Sequence, residues 1–145
     1  MIRALIRPMI GAALLLGAIP AAAQIPAYPP GNAVAGNSGN VANATATATL
    51  TASAGRTNYL NGIVVTAGGA TVAAVVTCTV TGLQGGTMTF IYGAPLGVGL
   101  LATPLMLDFS QPLPASGPNV AIVISCPALG VGNTNMAITA RGHME

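Results

Sequence analysis

A chain of 145 residues that is 52% hydrophobic and only 4% charged has room for one domain plus accessory segments, and lacks the high charge that marks a disordered protein. Its formal charge of +2 rests on Arg3 and Arg7; from there on, Arg56 and Arg141 balance Asp108 and Glu145, which leaves no electrostatic footprint for nucleic acid or an anionic membrane. Nineteen Gly and 11 Pro argue against long helices, whereas abundant Val, Ile and Thr among turn residues argue for an all-β domain.

Residues 1–23 read as a secretory signal peptide. Arg3 and Arg7 form a positive start, Met9 to Ile19 is an apolar run, and Ala21-Ala22-Ala23 supplies a small-residue cleavage pattern. The apolar run is short for a bilayer span, so no stable membrane insertion is expected after cleavage. Residues 24–40 read as a flexible Pro/Gly/Asn-rich arm, because Pro26, Pro29, Pro30, Gly31, Gly36 and Gly39 oppose regular structure. This arm is either a spacer or an extended segment docked on a neighbouring subunit.

Residues 41–145 read as the folded domain. From Ala42 to Ala52 threonines alternate with Ala44, Ala46, Ala48 and Leu50, predicting a strand with a small-residue inner face. Thr57 to Thr66 is the next strand, with Gly62 at a bulge position. Gly68-Gly69 signals a tight turn into a third strand, Thr71 to Thr81, with Val76, Cys78 and Val80 inward. A glycine-rich turn at 82–86 leads to Thr87–Tyr92, where Met88, Phe90 and Tyr92 share a face. Leu100 to Phe109 is expected as a strand and Ser110 to Pro118 as a proline-rich crossover.

The segment Pro118–Asn135, PNVAIVISCPALGVGNTN, organises the rest. Val120, Ile122, Ile124 and Cys126 alternate with Ala121, Val123 and Ser125, the pattern of a strand covered on both faces. Pro127 ends it, and Gly130, Gly132, Asn133, Thr134 and Asn135 shape the following loop, a candidate partner-contact surface. Met136 to His143 closes the domain with Met136, Ile138 and Ala140 inward. About seven to eight short strands separated by turns predict a single antiparallel β-sandwich or jelly roll.

Several stretches, GNSGNVANATATATL at 36–50, Arg56-Thr57-Asn58-Tyr59-Leu60, Val80-Thr81-Gly82-Leu83 with Gly85-Gly86-Thr87, Pro112-Leu113-Pro114-Ala115-Ser116, and 118–135, stand out together. They resemble small virion structural or head-decoration proteins of tailed phages and prophages. The resemblance spans roughly residues 31–143 and is carried by turns and strands, with no catalytic signature. It implies a compact β-sandwich on or within a virion, as a symmetric oligomer contacting capsid or tail proteins. The leader departs from that pattern, since a virion protein assembled in the cytoplasm has no use for export. The chain is then a phage-like domain in the virion, or a secreted or periplasmic protein meeting cell-surface components.

Cys78 and Cys126 both fall on inner strand faces. In an exported protein an even cysteine count favours a disulfide; the alternative is two separate buried thiols. His143 stands near the C-terminus, where a solvated imidazole is expected. Asp108 is expected to pair with Arg56 or Arg141. No G-x-S-x-G elbow, P-loop lysine or paired carboxylates occur, so no catalytic, cofactor or metal site is expected and the chain reads as non-enzymatic. Formal neutrality and apolar composition further predict a homo-oligomer.

Overall fold

The computed structural model describes residues 31–145; the expected signal peptide and the first part of the expected arm lie outside the described residues. Eight strands follow in order: β1 (Asn32–Asn37), β2 (Ala46–Leu50), β3 (Asn58–Ala67), β4 (Ala74–Leu83), β5 (Gly86–Ala94), β6 (Leu105–Pro114), β7 (Ile122–Cys126) and β8 (Met136–Met144). They pair antiparallel as β1 with β8, β2 with β7, β3 with β6 and β4 with β5. The chain is thus one long antiparallel ribbon, doubled back at the β4–β5 hairpin and rolled up so that β3 also meets β8 and β4 also meets β7. This winding is a jelly roll. Its two sheets have the strand orders β1-β8-β3-β6 and β2-β7-β4-β5.

The period of two visible in the sequence sets which side chains meet between the sheets. Ala46, Ala48 and Leu50 of β2 face Ile122, Ile124 and Cys126 of β7 within one sheet, and Met136, Ile138 and Ala140 of β8 project from the other; all are buried. In β3 the buried series runs Leu60, Ile63, Val65. The parity change between Leu60 and Ile63 is absorbed by a bulge, where the register shifts between Leu60 and Gly62. Without that extra residue, one half of β3 would turn its apolar side chains to solvent.

Four sequence expectations change. Residues 32–37 form β1 where an irregular arm was expected: the prolines end at Pro30, and Asn32 to Asn37 pairs with Met144 to Thr139. Gly36 is buried against the backbone of Thr49, where a Cβ would collide, so the residue that argued against structure is what lets β1 close over β2. Gly68-Gly69 makes no hairpin, because β3 and β4 belong to different sheets. Gly82 and Leu83 remain in β4, leaving Gln84-Gly85 as a two-residue turn. Finally, β6 begins five residues later than expected and runs through Pro112 and Pro114. It is an edge strand, the place where a missing backbone donor costs no ladder bond.

Candidate interaction surface

Rolling the ribbon sorts its connections onto two ends. The base gathers the connections 51–57, 84–85 and 115–121, tied by Asn119 N donating to Arg56 O (3.0 Å), Ser116 N to Gly82 O (2.8 Å) and Thr57 N to Glu145 O (2.8 Å). The tip gathers 38–45, 68–73, 95–104 and 127–135. There Asn43 N donates to Asn133 O (2.9 Å), Thr71 N to Val131 O (2.9 Å) and Gly97 N to Ala70 O (2.9 Å).

The two ends differ in chemistry. Among the described residues, Arg56 and Glu145 lie at the base and Arg141 and Asp108 midway along the sheet, while the four tip loops contain no ionisable side chain. The tip instead exposes Val72, Leu96, Val98, Leu100, Leu101 and Val131, with Leu101 at 86% and Val131 at 78% exposure. Isolated exposed aliphatics are ordinary, whereas several gathered at one end make that end the candidate for an interface. Leu101 and Asn135 line one shallow groove with Asn40, Pro104 and Ala137. On the far side of Leu101 a second groove runs past Ile91, Gly93 and Pro95.

The loops are held rigidly enough to present a defined shape. Asn133 is buried; its Nδ2 donates to Gly68 O at 2.7 Å, joining two loops, while its own carbonyl receives Asn43 N from a third. Asn40 Nδ2 donates to Asn135 Oδ1 at 2.8 Å. Gly69 lies so close to the Gly97 and Pro95 carbonyls that any side chain would push the loops apart. Below the tip, Cys78 and Cys126 are joined in a disulfide. Their Cα atoms are 4.3 Å apart, and they stand opposite each other on β4 and β7, one step beyond the Thr79–Ser125 pair. The bond is fully buried and ties β7 to β4 at the point where the chain leaves for residues 127–135.

The candidate loop residues therefore divide. Gly130, Thr134 and Asn135 are exposed, Gly132 is half-buried against Thr71 and Val98, and Asn133 faces inward as a brace. The segment Leu96–Leu101, the most apolar part of the tip, is not marked as a surface in the sequence, where Leu100 and Leu101 are expected to open a strand. Asn58 also goes unmarked there, yet it is buried and its Nδ2 faces the carbonyls of Leu50 (3.3 Å), Thr51 (3.1 Å) and Val120 (3.1 Å), which closes the base.

His143 is not solvated as expected: it is 4% exposed. Its ring stacks on Tyr59 with centroids 4.9 Å apart, and Nδ1 lies 2.9 Å from Asn61 Oδ1. The reason is register, since Tyr59 and His143 are direct cross-strand partners and Gly31 covers the imidazole. Arg141 binds Asp108 at 2.6 Å, one of the two pairings expected. Both are half-exposed or more, so the pair adds little stability. His143, Asn61, Asp108 and Arg141 line one cleft with Gly31, Ala33 and Phe109; that lining supplies no serine or cysteine nucleophile. Among the described residues no group of three or more His, Cys, Asp or Glu is arranged to hold a metal ion. No known protein family and no curated protein matches the chain.

Proposed function

We propose that this protein is a non-enzymatic structural subunit that docks onto an assembly, of the phage or prophage virion type, through its uncharged tip. The observation that carries the reading is the segregation of charge: an end with four braced loops that expose six aliphatics and contain no ionisable side chain. Such a surface suits permanent burial against a protein face and offers nothing for polar catalysis. Jelly rolls recur in viral capsid domains, which supports the setting by analogy of fold alone. The test is a tip variant, Leu101→Asp with Val131→Asp, expressed beside the wild type in cells producing particles. Exclusion of a folded, disulfide-bonded variant from particles supports the proposal; equal incorporation of both chains overturns it.

The disulfide favours a second reading. Disulfides persist in oxidising compartments, and a buried Cys78–Cys126 bond is consistent with an extracytoplasmic location. In this reading the domain is exported and its tip meets cell-surface or matrix components. Recovery of the chain in periplasmic or culture fractions with Gln24 as its N-terminus, and never in particles, favours it over the first.

A further inference from the structure

We infer that β5 pairs edge to edge with β5 of a second copy, extending the β2-β7-β4-β5 sheet across a two-fold axis into one of eight strands. This rests on the assembly reading above and gives it a self-interface separate from the tip.

The jelly roll leaves four edge strands, β1, β6, β2 and β5. Exposed edges invite pairing with other chains, and proteins blunt them with short length, charge, proline or bulges. β2 has only five residues, and β1 has six, with Gly36 within it. β6 carries Asp108, Pro112 and Pro114. β5, with the sequence GTMTFIYGA, has nine residues and no charge or proline. Its register with β4 runs unbroken from Ala94 to Met88. It is the one long edge without a blocking device.

The side of the sandwich that β5 borders is also incompletely closed. Met88 and Phe90 face the interior but remain only partly buried, as do Leu105, Leu107 and Phe109 of β6 opposite them. On the outer face Ile91 is 69% exposed and Val75 72%. At those exposures Val75 and Ile91 offer about 250 Å² per copy, near a third of the roughly 800 Å² per partner typical of a stable interface. The backbone edge and the half-buried Met88 and Phe90 supply further area. No charged residue lies on β4 or β5, so two identical faces meet without repulsion, as an isologous contact requires. An axis at Thr89 sets Met88 beside Phe90 of the second copy on the core side, and Thr87 beside its Ile91 outside. The pairing consumes the edge and stops at two copies.

The full chain, with its disulfide formed, is examined by sedimentation velocity together with Thr89→Lys and Val131→Lys. Thr89 is exposed, and the axis would bring the two lysines face to face. The expected result is a dimer for the wild type and for Val131→Lys, and at least a tenfold rise in dissociation constant for Thr89→Lys. Thr89→Cys under mild oxidation is expected to give a covalent dimer, and Thr47→Cys, on the opposite edge of the same sheet, none. A dimer that survives Thr89→Lys, or a Thr89→Cys chain that does not cross-link, overturns β5 pairing while leaving tip docking intact. A wild type that stays monomeric to high micromolar concentration overturns the pairing as well. Tip docking fails separately, through incorporation of the Leu101→Asp, Val131→Asp variant.

Discussion

Asn58 shows how one polar side chain can hold a mostly apolar fold together. Its amide nitrogen donates to carbonyls from the end of β2 and from the segment before β7, the bond to Leu50 being buried, while its own Oδ1 is buried with no hydrogen-bond partner. Asn58→Ala is expected to lower stability by about 2 kcal/mol, the usual cost of stranding buried acceptors, measured by denaturant unfolding. Tyr92 gives a pH prediction. Burial pushes its phenol above the usual value, against a weaker lowering by a backbone hydrogen bond at Ala67. The folded chain therefore holds this proton to higher pH than the unfolded chain. The stabilisation is fully present below about pH 10, the unfolded value, and is lost as pH rises through the folded one. Thermal midpoints are expected to fall above pH 10, and to fall less steeply in Tyr92→Phe; equal slopes would contradict this. At this scale the sequence marks side chains by alternation, which suffices for Ile122 or Ala48. It does not mark Asn58, Asn133 or His143, whose burial depends on partners distant along the chain.

Among the elements, β4 and β7 are joined most firmly, by ladder pairing and by the disulfide. The cysteines are 48 residues apart, so removing the cross-link releases a long loop in the unfolded chain. Cys78→Ala with Cys126→Ala is expected to cost up to about 4 kcal/mol, read as a lower denaturant midpoint. Strand identity was legible wherever inner and outer residues alternate, as in β2, β4, β5, β7 and β8. The bulge was legible from Gly62 itself, a glycine inside a strand pattern, and the buried series changes parity there. It was not legible in β1 and β6, where Gly36, Pro112 and Pro114 argue against strands locally. Edge position and close backbone approach reverse that argument, and neither can be read from neighbours in the chain. The β3–β4 connection was misleading for a related reason: a Gly-Gly pair suits a hairpin turn, and it suits equally a chain crossing between sheets under a packed loop.

On the scale of the whole molecule, the controlling fact is where charge is absent. The base and one sheet carry every charge among the described residues, and the tip presents aliphatic loops braced by Asn133, Gly69 and the disulfide below them. Because those aliphatics are exposed, replacing Leu101 and Val131 by Asp is expected to shift stability by no more than about 0.5 kcal/mol per site. Thermal unfolding checks this, and the small change separates a docking surface from a structural one. Composition made the shortage of charge legible, but its segregation to one end emerges only when the ribbon is rolled. The most direct test of the docking account is quantitative mass spectrometry of gradient-purified particles after light oxidative footprinting. The account predicts the chain in fixed stoichiometry with the particle proteins, with Leu96–Leu101 and Val131 protected relative to the free protein. Absence of the chain from particles, or equal labelling of those residues in both states, would contradict it.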